Sequence, residues 1–346
     1  MALRRVTIQD IADACGLSRN TVSKIFNGRG NVSPATRQLV LDKARELQYF
    51  PAAEPTPAAP RTEMQTIVLL TSRMPADYHF GTFFIPAFAD QLGREGYTLM
   101  MCEVSAAELR SRSLPAHLQT DKTAGLLTIE LFDRDYLDML CETGLPVILV
   151  DSFYGAHTSL LPCDTISMEN TASTFTLTSR IIASGARRLG FVGDLRHCNS
   201  FYERWSGFCA ALTQAGLPLD RSCCILDSDT SPYHDIAWLT AKFRAMPRLP
   251  DAFVCANDFL ALHIMAALKQ QGIAIPGQIM VSGFDGTPQS AIVEPSLTTV
   301  QIPSAEIGRL AADLLLERIE HPDRPLQSTY VKTVPIWRRS TERSAV

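Results

Sequence analysis

The sequence predicts a small all-α helix-turn-helix unit followed by an α/β body of two lobes built on parallel sheets. Three observations carry that expectation. Three helical stripes with their own start and stop signals fit into the first fifty residues. From residue 66 onward, short apolar runs alternate with amphipathic segments, the pattern of parallel strands joined by helices. The chain has 346 residues; after the head this leaves a body of about 280, too long for one typical core. Hydrophobic residues at 46% and charged residues at 20% exclude wholesale disorder and a disulfide-rich scaffold.

The first helix starts at Thr7, whose T-x-x-D spacing to Asp10 is a capping signal, and carries Ile8, Ile11, Ala12 and Cys15 on one face. Gly16 permits the positive φ of a C-cap, Leu17 anchors the turn, and Ser18 caps the second helix. In that helix Val22 and Ile25 point inward, while Arg19, Asn20, Ser23 and Lys24 gather on the opposite face. Arg and Lys match guanine O6 and N7, and Asn matches adenine N6 and N7, so this face has the chemistry of major-groove readout. Ser33 caps and Pro34 opens a third helix with Val40, Ala44 and Leu47 inside, and Pro51 stops it. The bland alternative for three such helices is a protein-binding bundle.

Charge separates head from body. Residues 1–50 hold eight Lys or Arg against four acids, a net +4, and the remaining 296 residues carry −8 of the total −4. A basic head on an acidic body means that only the head is expected to meet a polyanion, since phosphate affinity depends on local cations. A solvated charged face is the competing reading.

The stretch VTIQDIADACGLSRNTVSKIFNGRGNVSPATRQLVLDKARELQYFP resembles the DNA-binding headpiece of the lac repressor and galactose repressor family of bacterial transcription factors. D-I-A, G-L-S, T-V-S-K and N-V-S-x-x-T-R stand in the family's order and spacing. The resemblance implies that Arg19, Asn20 and Lys24 read bases. It implies that Thr7, Ser18, Thr21, Ser23, Asn27, Asn31, Ser33 and Thr36 hold the sugar-phosphate backbone, a role suited to helix N-termini and short hydroxyls.

The headpiece is expected to span residues 1–50, a Pro/Ala-rich linker 51–65, and the body 66–340. PAAEPTPAAP lacks any helical stripe. Where the family continues into a hinge helix with Asn, Ala-Arg and Leu, this chain has Ala52, Pro55 with Thr56, and Ala58. Pro55 and Pro57 would each cost a hinge helix roughly 3 kcal/mol in its interior. A minor-groove wedge is not expected.

In the body the order is TIVLL and a helix over 83–96, TLMMC, GLLTI and a helix over 133–143, then PVILV and a helix over 169–184. RLGFVG follows with a helix over 202–216, then CCILD with 235–246, AFVCA with 258–272, and IMVSGF. Sheets of this type place ligands at the carboxyl ends of their strands. Arg204, opening the helix after RLGFVGD, Asn257 with Asp258 after AFVCA, and Asp285 after IMVSGF stand at such ends. A guanidinium fork beside a carboxylate grips sugar hydroxyls or a small anion. Taken singly, Asp258 reads as a helix cap, Arg204 as a surface ion pair and Asp285 as a turn former. Together, R-x-x-G-F, P-D-A-x-x-x-x-N-D-x-x-A, G-F-D and P-S-L-T-T-V resemble the family's effector domain. That resemblance implies a periplasmic-binding-protein-like fold, with Arg204, Asn257 and Asp285 touching a small-molecule effector between the lobes. HFGTFF replaces the family's N-P-F, and Gly286 replaces the second Asp of G-F-D-D, so the effector's identity does not carry over. Tyr233 and Trp238 read as core aromatics rather than stacking platforms.

The expected function is sequence-specific transcriptional regulation, as a repressor modulated by a sugar or sugar derivative. The expected partners are a palindromic double-stranded operator and a second copy of the chain. Catalysis is not expected, because phosphate-cradling, nucleophile-elbow and metalloprotease signatures are absent and the seven histidines are dispersed. No cofactor or metal is expected. The competing readings are a cytoplasmic small-molecule-binding protein, or an α/β enzyme with an accessory DNA-binding head. Nine scattered cysteines without a C-x-x-C pair read as reduced thiols, and Asp10 interrupts any leader-like apolar stretch, so a cytoplasmic location is expected, without a membrane.

Overall fold

The computed structural model describes residues 7–26, 33–47, 65–74, 80–156 and 160–342. The chain divides into two compact units, Met1–Thr62 and Glu63–Val346.

The first unit contains α1 (Ile8–Cys15), α2 (Arg19–Phe26) and α3 (Pro34–Glu46). Thr7 starts α1 with a full capping box: its hydroxyl accepts from the Asp10 amide while the Asp10 carboxylate accepts from the Thr7 amide at 2.7 Å. Gly16 ends it at φ 66°, a backbone few other residues adopt without strain. Ser18 Oγ accepts from the Thr21 amide and Ser33 Oγ from the Thr36 amide, each at 3.1 Å, so both later helices are capped by the serines the sequence places there. Ile11, Ala12, Val22, Ile25, Val40 and Ala44 form the core, with Leu17 and Leu47 packed against it. Linker residues 51–64 lie outside the described residues, and the expectation about a hinge helix lies there with them.

The second unit carries two parallel sheets. The first joins β1 (Thr66–Thr71), β2 (Thr98–Glu103), β3 (Thr123–Ile129), β4 (Val147–Val150), β5 (Asp164–Met168) and β10 (Ser328–Val331) in the order β2-β1-β3-β4-β5-β10. The second joins β6 (Leu189–Val192), β7 (Ala252–Cys255) and β8 (Met280–Ser282). Single bridges extend it from Val192 to Ile225 and from Ser282 to Thr298, next to the antiparallel pair β9 (Thr299–Gln301) and β11 (Val334–Ile336). Both lobes therefore start from one strand with its successors on either side, the doubly wound order that opens a crevice at the strand ends.

The helices cover the sheets. They are α4 (Gly81–Arg94), α5 (Ala106–Ser111), α6 (Arg134–Glu142), α7 (Thr171–Ala183), α8 (Asn199–Gln214), α9 (Ile236–Ala245), α10 (Asp258–Gln270), α11 (Pro288–Ile292) and α12 (Ser304–Glu320). The chain crosses between lobes at residues 169–170, 302–303 and 332–333, because β5 leads to α7 on the second lobe, β9 returns to α12 on the first, and β10 leads to β11. α12 lies along α4 so closely that a Cβ at Gly308 would stand 2.4 Å from the Phe84 carbonyl oxygen.

Three expectations need correction. CCILD is not a strand: residues 221–223 form a single tight turn, and Ile225 alone bridges to β6. Its thiols occupy ladder positions instead, with Cys223 Sγ donating to Leu189 O at 3.2 Å and Cys224 Sγ accepting from Phe191 N at 3.3 Å. The helix expected from 202 starts at Asn199, so Arg204 lies in its second turn rather than opening it. The cap of α10 is Asn257, whose Oδ1 accepts from Leu260 N at 2.9 Å, and not Asp258.

Candidate functional site

Two surfaces follow from this architecture, one on each unit. On the first, α2 buries Val22 and Ile25 and leaves Arg19 and Lys24 exposed on its other side, with Ser23 half-buried between them. Ser18, Thr21, Ser33 and Thr36 gather at the N-termini of α2 and α3, with the hydroxyls of each pair 2.8 and 2.7 Å apart. Helix N-termini with small hydroxyls favour phosphate, and long cationic side chains on an exposed helix face reach base edges. Asn27, Asn31 and the side chain of Asn20 lie outside the described residues.

On the second unit a cavity of about 800 Å3 opens between the sheets, at the carboxyl ends of β1, β3 and β4 on one side and β6, β7 and β8 on the other. Arg204, Asn257 and Asp285, far apart in sequence, all line it. Arg204 is 3% exposed. Its Nε donates to Asn170 Oδ1 at 2.9 Å, its Nη1 to Ala256 O at 2.7 Å and to Asp285 Oδ1 at 3.4 Å, and its guanidinium lies 3.8 Å from the centre of the Phe284 ring. The surface ion-pair reading of Arg204 is thereby excluded. A buried guanidinium held in this way keeps its fork in one orientation.

Asp258 turns away from the cavity. Its buried carboxylate accepts from Thr287 N, Thr287 Oγ1 and Thr299 Oγ1 at 2.8, 3.0 and 2.6 Å, tying α10 to the strand ends, and burial raises its pKa to about 6. Tyr233 is buried with its hydroxyl on Asp227 O at 2.8 Å and its ring set edge-on to Trp238, so it packs as core at the cavity wall. Phe80, from the HFGTFF segment, also lines the cavity, together with Phe132, Phe201 and Phe259.

Sequence reasoning missed Asp151 and Glu130. Asp151 follows β4, stands at φ 61°, and reaches across to the start of α8, where Ser200 Oγ donates to it at 2.6 Å and Ser200 N at 3.2 Å. Burial pushes its pKa up, against the pull of those hydrogen bonds and of Arg204. Glu130 follows β3 at φ 50°, and Asp285 follows β8 at φ 115°. Three of the four non-glycine residues with positive φ among those described are thus carboxylates facing this cavity, and backbone strain of this kind concentrates at functional sites. The only available signal was position, since each directly follows an apolar run. Among the described residues, no group of three or more His, Cys, Asp or Glu is placed to hold a metal ion.

Comparison with known proteins matches both units. Residues 7–52 match the model for bacterial regulatory proteins of the lacI family, and residues 178–341 match a periplasmic binding protein-like domain. A protein described as the HTH-type transcriptional repressor PurR of Photobacterium profundum is 27% identical over 316 residues, covering 91% of this chain and 92% of that protein. The repressor of the same description from Haemophilus influenzae is 26% identical over 324 residues, 93% of each. The chain thus joins a head that matches the lacI-family model to a body that matches a periplasmic binding protein-like domain. Among solved structures, the transcriptional regulator CelR–cellobiose complex matches at a TM-score of 0.71 and 24% identity over 97% of this chain and all of that one. A lac repressor dimer bound to operator and the anti-inducer ONPF matches at 0.69 and 22%, over 98% and 99%. These likenesses show the fold: a helix-turn-helix head followed by a parallel α/β body. The relatives that align over nine-tenths of this chain are described as transcriptional repressors. No described helix is long and apolar enough to cross a membrane.

Proposed function

We propose that the protein binds a palindromic operator as a homodimer, reads bases through Arg19, Asn20 and Lys24, and represses transcription under control of a small polar effector held in the body cavity. Thr7, Ser18, Thr21, Ser23, Asn27, Asn31, Ser33 and Thr36 hold the DNA backbone in this reading, and Arg204, Asn257 and Asp285 hold the effector. The observation that carries it is the convergence of these last three, from three separate strand ends, on one cavity about 800 Å3 in volume. A sugar or sugar derivative fits a site that joins a guanidinium, carboxylates and aromatic walls. The cellobiose in the CelR structure and the ribose in a lacI-family regulator from Enterococcus faecium support that class. One headpiece buries little DNA surface, so two half-sites about one helical turn apart supply the affinity. The relatives it matches are described as transcriptional repressors, and the protein is read as a non-catalytic cytoplasmic regulator in the same way.

The test is selection of genomic fragments by the purified protein, then gel shifts of the selected duplexes at two salt concentrations. A palindromic consensus bound with steep salt dependence is expected. Failure to enrich any sequence sinks the regulator reading. Enriched duplexes titrated with sugars, sugar phosphates and nucleobases then identify the effector, and loss of its effect in Arg204→Ala locates it in the cavity.

A further inference from the structure

Arg204 stands where the three chain crossings between the lobes meet. The first crossing contributes Asn170, whose Oδ1 accepts from Arg204 Nε at 2.9 Å. The second is bound to Asp285, whose amide donates to Val300 O at 2.9 Å and whose carbonyl accepts from Ile302 N at 3.2 Å, while its carboxylate faces Arg204 Nη1 at 3.4 Å. The third is reached through Glu203, the neighbour of Arg204 on α8. Its Oε1 accepts from the hydroxyl of Tyr330, two residues before that crossing, at 2.8 Å and from Asn199 Nδ2 at 2.9 Å, and its Oε2 accepts from Asn170 Nδ2 at 2.8 Å. The first and third crossings are also zipped directly, by Glu169 N on Val331 O at 2.8 Å and Thr333 Oγ1 on Glu169 O at 2.7 Å.

Donor and acceptor counting leaves this joint one arrangement. The Asn170 amide must turn its oxygen to Arg204, which only donates, and its nitrogen to Met168 O and Glu203, which only accept. A rotation of one lobe bends the backbone at three short crossings, and side chains fixed to all three make them bend together. We propose that Asn170 and Glu203 are positioning residues of the effector response, holding the cavity edge of Arg204 and coupling it to all three crossings. A ligand engaging Arg204 then acts on the angle between the lobes through this joint. The inference rests on the cavity being the effector site.

Amide hydrogen exchange of the full chain tests it without a ligand. Tyr330→Phe removes one hydroxyl from a half-exposed ring. It should speed exchange about threefold or more at residues 169–171 and, through the joint, at 300–302, and leave β7 unchanged. Glu203→Gln sets an amide NH2 against a donor and should speed all three crossings about tenfold. Asn170→Ala removes the other side of the same hydrogen bond and should speed the same crossings, and the double variant Asn170→Ala/Glu203→Gln should lie within about threefold of the worse single one, because both act on one joint. A Tyr330→Phe effect that does not reach residues 300–302, or a double variant in which the two single effects simply multiply, overturns the proposal. If Glu203→Gln does not fold, Tyr330→Phe decides alone. Failure of the cavity reading shows separately, as ligand binding that survives Arg204→Ala.

Discussion

At Asp258 two requirements conflict: its carboxylate organises three donors, yet it is fully buried, and burial raises its pKa to about 6. A carboxyl whose pKa is higher folded than unfolded binds its proton more tightly in the native state, so stability is greatest at low pH and falls as pH rises. Between the unfolded value of about 4 and the folded value of about 6, this should cost at most about 3 kcal/mol and then level off. Asp151, also raised, adds to the same slope. Urea unfolding at pH 4.5, 5.5 and 7, spanning that window of roughly two units, should show the fall, and Asp258→Asn should flatten it. An unchanged slope would mean that the carboxyl is not buried in solution. In the cavity, Asp285→Asn is the informative change, because at φ 115° an Asn is tolerated better than an Ala. It should weaken effector binding by on the order of 1.5–3 kcal/mol while leaving operator affinity without effector intact, as calorimetry and gel shifts would show. On the head, Arg19→Ala or Lys24→Ala should alter base preference at a cost of about 1–3 kcal/mol per good contact. Ser33→Ala should weaken all duplexes alike, and because Ser33 also caps α3 it should lower headpiece stability by about 1 kcal/mol. A changed base preference in Ser33→Ala would reverse these roles.

The elements show where periodicity succeeds and where it fails. The helices of the head were legible because caps and stripes coincide at Thr7, Ser18 and Ser33. β5 was not, since its sequence Asp-Thr-Ile-Ser-Met alternates polar residues that are nevertheless all buried. Asp164 is admitted to the core by Arg318 of α12, whose Nε and Nη2 bind its two oxygens at 2.7 and 3.1 Å, a partner 154 positions away. Burial of a charge is decided by its partner, and no local window contains that partner. β5, α11, β9, α12, β10 and β11 all lay outside the sequence pattern, and α12 is what closes the first lobe against α4. Gly308→Val should disrupt that contact, with overpacking against the Phe84 carbonyl costing on the order of 1–3 kcal/mol. Thermal unfolding reads the loss, and an unchanged melting temperature would mean that the two helices are farther apart than the structure places them.

For the whole molecule, the expected homodimer is checked by sedimentation at micromolar concentration, where a stable monomer would count against two-fold operator binding. The coupling between effector and operator is the second quantity at this scale. Pro55 and Pro57 stand where the family forms a hinge helix, and coupling at or below about 1 kcal/mol, the low end of the usual range, is expected. Titrating effector with and without operator duplex measures it; a hundredfold shift in effector affinity would show that the linker transmits as a hinge helix does.

By itself the sequence determined the division into a basic helical head and an acidic α/β body, the capped helices, the candidate readout face on α2, and three residues that meet in the cavity. These follow from local rules: capping, periodicity, and the placement of polar residues after apolar strands. Tertiary structure alone decided that Arg204 is buried between Phe284 and Asn170, that Asn257 rather than Asp258 caps α10, and that Asp151 and Glu130 belong to the cavity. It alone decided that the side chains of Cys223 and Cys224 take over backbone positions at the edge of β6. The physical reason is common to all four. Burial, charge pairing and hydrogen-bond satisfaction belong to residues brought together from different strands, so they come into being only when the sheets are assembled.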